Sequence, residues 1–506
     1  MDERKPWQRP GRLLRRLGRL AVKPPAHLKT WQVTAGSAAA GLAVAAVAVV
    51  AAGPWDSSGQ RTAERDRAAS LEAGGGTDHA GALGGQAPGA APSAPSVLAG
   101  LRLSKGAHKG TSAPGGQALA DALDPILKEP ELGPERSAVV MDAATGKRLY
   151  GKGADDALTP ASTTKIATAV AVLSAVGPDH RLTTRTVVEP ESRDVVLVGG
   201  GDPTLTARKE GRYVAGAASL RDLADDTARA LKKRGTGPVT LSYDTSRYSG
   251  PPQHPIGPNE NITLVSALMA DEGRLDDSSS GPAPRSADPA GDAALKFADL
   301  LRERGVDVKQ DPRPAKASGR ARTLAKTVSP PVSALVERML THSDNDIAEA
   351  LARETAHADG APVGFDGAAE AVRARLDKLG LPLAGAEFAD GSGLDRADRL
   401  TAELLAALLA RAADPDHPEL RSVVTGLPVA GFTGTLVDRY PKGSPGTGVV
   451  RAKTGTLTGV NTLAGTVVTT DGRLLVFAFM TTGTTDAEGA QRALDAMASA
   501  TATSGR

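Results

Sequence analysis

Residues 160–175 read PASTTKIATAVAVLSA: a Pro-Ala lead, then Ser162-Thr163-Thr164-Lys165, then an apolar run of helical length. Ser162 therefore stands at a helix start, where the dipole and free backbone N–H groups stabilise an alkoxide or an oxyanion. Lys165, three residues on, shares the helical face and can reach the hydroxyl, and desolvation lowers an ammonium pKa enough to make it a base. A plain helix cap followed by a solvated lysine accounts for the same letters. With 30 serines and 19 lysines in 506 residues, about one S-x-x-K arises by chance, and the chain has one.

Two further motifs change the weighing. Ser343-Asp344-Asn345 lies between the helical patterns PVSALVERML and DIAEALARETA, on a break where side chains can point into a cleft. Taken alone it also reads as an ordinary N-cap for the second helix. Lys453-Thr454-Gly455-Thr456 follows GVVRA (448–452), which should be a strand. Its plain reading is a strand edge with a solvated lysine. Gly455 argues against that, because glycine inside a strand commonly marks close approach of another backbone or a ligand. S-x-x-K, S-x-N and K-T-G each occur once, in that order, which is a penicillin-interacting signature.

The elements around them suggest an α+β design. SAVVMD (137–142) and KRLYGK (147–152) flank the turn AATG, and TLAGTVVTT (462–470) and RLLVFAFM (473–480) flank Asp471-Gly472; both read as hairpins. A closing helix is predicted over about 486–502. Strands near both ends with helices between imply an antiparallel sheet closed by the two ends of the domain. Between Ser162 and Ser343, RDVVLVGGG, AASLRDLADDTARALKKRG and GPVTLSYD form strand, helix and strand, too regular for a loop. An inserted α/β domain is expected over 182–328, dividing a catalytic domain of 117–181 and 329–506.

Composition limits the chemistry. There is no cysteine, which removes thiolate nucleophiles and Cys-ligated metals. The eight histidines are spaced too widely for a helical zinc motif, so neither metal nor cofactor is expected. Net charge is +2, giving no electrostatic case for nucleic acid. Aromatics total only 14, so a core must rest on Ala, Val and Leu.

The front end departs from this balance. Residues 1–29 carry nine basic and two acidic side chains and should stay cytoplasmic; residues 30–55 carry no charge. As a helix, those 26 residues would span about 39 Å, enough to cross a bilayer core with some tilt. The stretch reads as a single-pass signal anchor or as a cleaved signal peptide, with Arg15-Arg16 a weak hint of twin-arginine export. Either places the remainder outside the cytoplasm, anchored to the membrane or released to the wall. Residues 56–116, rich in Gly, Ala, Pro and Ser, read as a disordered linker.

Around the motifs, PASTTKIATA (160–169), GGGDPTL (199–205), YDTSRYSGPPQHP (243–255), VSALMADEGR (265–274), ADGSGL (389–394), FTGTL (432–436) and RAKTGTLTGV (451–460) carry a closer likeness. From about residue 118 onward the chain resembles the D-alanyl-D-alanine carboxypeptidase/endopeptidase family, the class C low-molecular-mass penicillin-binding proteins. The resemblance implies a penicillin-binding/β-lactamase-like catalytic domain, an antiparallel sheet flanked by a helical lobe, with a domain inserted between the first two motifs. The family often adds a further small domain, for which this insertion is short.

The resemblance also implies roles. Ser162 is the nucleophile, Lys165 its base, Ser343 the relay of a proton to the departing D-Ala nitrogen, Lys453 the group that shapes the electrostatics of that relay, and Asn345 a hydrogen-bond partner of the substrate amide. Thr454, Gly455 and Thr456 bind substrate, with the Ser162 and Thr456 N–H groups as oxyanion hole. The implied partners are peptidoglycan stem peptides ending in D-Ala-D-Ala, and β-lactam antibiotics. A β-lactamase and a catalytically silent wall scaffold are the competing readings. No asparagine lies between Asn345 and Lys453, so the class A β-lactamase E-x-x-x-N motif is absent there.

Overall fold

The computed structural model describes residues 116–190, 192–209, 215–235 and 237–504. The basic segment, the stretch 30–55 and the linker through residue 115 lie outside the described residues. Among the described residues no helix is long and apolar enough to cross a membrane.

Helix α1 (Gly116–Leu127) leads into strands β1 (Glu135–Asp142) and β2 (Arg148–Lys152) of the first hairpin. After a two-residue strand, β3 (Ala157–Leu158), comes α2 (Thr164–Val176), the helix predicted from the quoted stretch. The chain then builds β4 (Thr183–Val188), β5 (Asp194–Val198), α3 (Leu220–Lys233), β6 (Thr240–Asp244), α4 (Pro289–Glu303), β7 (Arg313–Pro314) and β8 (Arg322–Val328). These five strands form one sheet in the order β7-β6-β5-β4-β8, and β5–α3–β6 is a parallel crossover where strand, helix and strand were expected. Helices α5 (Val332–His342), α6 (Asn345–Ala358) and α7 (Phe365–Lys378) follow, then β9 (Leu400–Thr401), α8 (Ala402–Ala413) and α9 (Arg421–Thr425). Strands β10 (Val450–Leu457), β11 (Val460–Val468) and β12 (Leu474–Thr482) and helix α10 (Ala487–Thr503) complete the fold.

The second sheet has the order β10-β11-β12-β1-β2 and is antiparallel throughout. Its closure by β1 and β12 joins the two ends of the described chain. Successive side chains of a strand point to opposite faces, and here both faces are buried. Leu475, Phe477 and Phe479 of β12 pack with α1 and α10, while Val476, Ala478 and Met480 pack with the helical lobe. The lobe core is built wholly from Ala, Val, Leu, Ile and Met, as the scarcity of aromatics required. At its centre α2 is buried from Thr164 through Leu173, so its apolar run lies where solvent reaches no face.

K-T-G lies within β10, which continues to Leu457 and does not end before the motif as the apolar pattern alone indicated. β10 is the outer strand of its sheet; residues 428–430 pair with its edge at Val450–Ala452, and the stretch beyond them is left to offer a cleft.

Candidate active site

Ser162 occupies a single 3₁₀ turn, Ala161–Thr163, immediately ahead of α2. Ala161 has φ +48°, an unfavourable value for a residue with a Cβ, so surrounding structure must hold the turn. The Pro160 carbonyl accepts from Thr163 Oγ1 at 2.7 Å and Thr462 Oγ1 at 2.9 Å. Two glycines let other segments close on it. A Cβ on Gly393 would collide with the Ala161 carbonyl, and one on Gly455 would meet Thr462 Oγ1 and the Pro160 carbonyl. The glycine of K-T-G is thus where β10 passes against the Ser162 turn. Gly455→Ala is expected to cost about 1–3 kcal/mol through this overlap, measured by urea denaturation; a loss below ~0.5 kcal/mol would refute the close approach.

Lys165 is fully buried. Its Nζ stands 3.0 Å from Ser162 Oγ and donates to Asn345 Oδ1 and to the Ser392 carbonyl, both at 2.6 Å. Burial drives its pKa down to about 8, against the opposing pull of Asp390, Asp344, Glu349 and Asp398. A lysine so placed loses its proton within the physiological range.

Ser343 sits at the break between α5 and α6 in a left-handed conformation, φ +58°. Asp344 caps α6 by accepting from the Ile347 N–H, so the cap reading of this motif holds. The buried Nζ of Lys453 donates to Ser343 Oγ at 2.9 Å and to the Thr454 carbonyl at 2.7 Å. Its pKa is pushed well below the ordinary lysine value by burial first, then by the charge of Lys165. Each serine hydroxyl therefore faces one desolvated amine.

A cleft of about 370 Å³ opens over these groups, lined by Ser162, Ser343, Asn345, Thr454 and Thr456. All three motifs, some 290 residues apart at the extremes, meet there. Thr454 Oγ1 donates to Thr435 Oγ1 at 2.9 Å, which brings in the 432–436 segment.

Sequence reasoning assigned no role to several residues of the site. Asn345 Nδ2 donates to the Asn261 carbonyl at 2.9 Å; Asp346 takes the Thr263 N–H at 3.0 Å and pairs with Arg285 at 2.9 Å. These partners flank VSALMADEGR (265–274) on either side and are separated by tens of residues from what they touch. Two carboxylate clusters, His254 with Glu349 and Asp390, and Glu272 with Asp344 and Asp346, have metal-ligand residue types. Both are compensated from within, by Arg353 on Glu349 and by Arg274 and Arg285 on Glu272 and Asp346.

Comparison with known proteins agrees with this geometry. The D-Ala-D-Ala carboxypeptidase 3 (S13) family matches residues 119–279 and 276–504. A carboxypeptidase of Mycobacterium tuberculosis is 36% identical over 78% of this chain and 86% of its own length. The carboxypeptidase DacB of Mycolicibacterium smegmatis is 38% identical over 72% of this chain and 79% of its own. Among solved structures, penicillin binding protein 4 of Haemophilus influenzae shares the fold, with TM-score 0.61 at 21% identity, covering 74% of this chain and 97% of that one. With its three motifs converging on one cleft and the family match running from residue 119 to residue 504, the chain belongs to the D-Ala-D-Ala carboxypeptidase (S13) family.

Proposed function

We propose that this carboxypeptidase cleaves the terminal D-Ala from peptidoglycan stem peptides through an acyl-enzyme on Ser162. The observation that carries the reading is the pairing of two buried amines with two hydroxyls in one cleft, Lys165 with Ser162 and Lys453 with Ser343. Ser162 Oγ attacks the carbonyl carbon of the penultimate D-Ala as its proton passes to Lys165 Nζ. The Ser162 and Thr456 N–H groups receive the developing oxyanion, a contribution of about 3–4 kcal/mol per donor in other acyl-transfer enzymes. Ser343, beside Lys453, delivers a proton to the D-Ala nitrogen as the C–N bond breaks. The proton held on Lys165 returns to Ser343; water then attacks the ester, giving a proton to Lys165, which passes it to Ser162 Oγ as the shortened peptide leaves.

Thr454 and Thr456, with Gly455 between them on the edge of β10, bind the terminal carboxylate through their hydroxyls, beside the Lys453 amine. The same features suit a β-lactam, which closes its ring onto Ser162; penicillin binding protein 4 of Haemophilus influenzae has been solved complexed with one. A cross-linked peptide as acyl donor makes the same steps an endopeptidase reaction. The catalytic body acts outside the cytoplasm, held there by residues 30–55 or released when they are cleaved; the charge pattern of residues 1–55 supports this.

The test is D-Ala release by the full chain from diacetyl-Lys-D-Ala-D-Ala, with the L-Ala-L-Ala isomer as control. Release from the first alone is expected. Covalent labelling by fluorescent penicillin without release from either stem peptides or cross-linked muropeptides would overturn the hydrolase reading.

A further inference from the structure

Beneath the cleft lies a cluster of titratable groups that the three motifs leave unused: His254, Glu349, Asp390 and Asp398, all buried. Glu349 lies on α6, and Asp390 and Asp398 come from the loop before β9. His254 comes from elsewhere, the long segment between β6 and α4.

His254 Nδ1 accepts the Ile256 N–H at 3.3 Å, which leaves the ring proton on Nε2, 3.1 Å from Asp390 Oδ2. Asp390 in turn accepts from the backbone N–H groups of Ser392, Gly393 and Asp395 at 2.9, 2.5 and 2.7 Å. Glu349 takes the Gly391 N–H at 2.9 Å and Asp398 the Ala389 N–H at 2.6 Å. The loop 389–395 is therefore wrapped around carboxylates, and His254 ties it to a segment outside the lobe. One product of this wrapping is the position of the Ser392 carbonyl, which accepts from Lys165.

A neutral amine has two N–H bonds and one lone pair. The two oxygens at 2.6 Å from Lys165 Nζ, Asn345 Oδ1 and Ser392 O, take the two N–H bonds. The lone pair is then left for the Ser162 hydroxyl at 3.0 Å. Both oxygens are set from the same stretch of chain. His254 fixes the loop that carries Ser392. The Asn261 carbonyl, which can only accept, requires Asn345 to turn its NH₂ outward and its oxygen to Lys165.

We propose that the 254–263 segment is a positioning clamp for the base, acting through His254 and Asp390 on one side and through Asn261 and Asn345 on the other. The span between the first two motifs thereby takes part in catalysis through Lys165. The inference rests on Lys165 being the base.

The test compares His254→Gln with His254→Asn in the full chain. Glutamine places an amide nitrogen near the imidazole Nε2 position, within reach of Asp390; asparagine stops near Nδ1. Rates are expressed per site titrated with fluorescent penicillin, so that unfolded protein does not count. His254→Asn is expected to lower kcat about 10- to 100-fold with KM nearly unchanged, and His254→Gln to restore most of it. Wild-type rates per site in both variants, or equal losses in both, would overturn the clamp. A Lys165→Ala arm separates the two readings: acylation that survives it removes the base assignment itself, whereas its loss beside unaffected His254 variants removes the clamp alone.

Discussion

Ser162→Ala is expected to lower kcat for D-Ala release by about 10⁶-fold, the scale on which loss of a nucleophile acting in concert with its base is felt. The size follows from the arrangement. In the proposed mechanism Lys165, Asn345 and the oxyanion donors all serve an attack by one oxygen, and without it they leave only binding and polarisation. Stability should hardly move. Ser162 Oγ meets Lys165 Nζ alone among the described hydrogen bonds, a contact worth about 1 kcal/mol net. The measurements are D-Ala release, fluorescent-penicillin labelling and the urea midpoint. Labelling retained in the variant would place the acyl-enzyme on a different residue and end the mechanism given above.

The second large effect concerns Lys165 and carries a sign in pH. Burial lowers its pKa to about 8, so the free base is the minor form below that pH and the major form above it. With acylation rate-limiting, kcat/KM should climb close to tenfold per pH unit up to about 8 and level off beyond, reporting the free enzyme. Lys165→Ala should lower the plateau by about 10²- to 10⁴-fold and abolish the limb. Lys165→Arg should be no better, because a guanidinium keeps its proton throughout. A flat profile between pH 6 and 9 for chemistry-limited acylation by penicillin would show that Lys165 is already neutral or takes no proton.

Much of the fold was legible because its signals are local. The hairpins at 137–152 and 462–480 announce themselves through apolar runs around short turns, and both form. The β5–α3–β6 crossover followed from a change of period within fifty residues. Ser343-Asp344-Asn345 was placed on a helix break because helical patterns flank it on both sides, and the left-handed φ of Ser343 is that break. The extent of β10 was not legible, since Lys453, Thr454 and Thr456 interrupt the apolar pattern. They are polar for the cleft, and the strand continues through them because β11 supplies its hydrogen bonds.

The site divides in the same way. The three motifs were visible because their spacing is short and their residue types are chemically exacting. His254 and Asp390 were present in quoted segments yet without a role, and Asn261 lay between two of them. Their partners lie 84 to 136 residues away, and a single chain carries no local trace of such a pairing.

The sequence by itself determined which groups could do chemistry here: oxygen nucleophiles and amine bases, since no cysteine exists, and a small-residue core, since aromatics are so few. It also determined where the helices start and turn around those groups. Tertiary structure alone decided that Lys165 and Lys453 are buried, and hence that their amines lose protons readily. A pKa depends on how much water and which charges surround a group, and those come from segments far apart in the chain. The same holds for the lone pair of Lys165, whose direction is set by two oxygens held in place from residues 254 to 263.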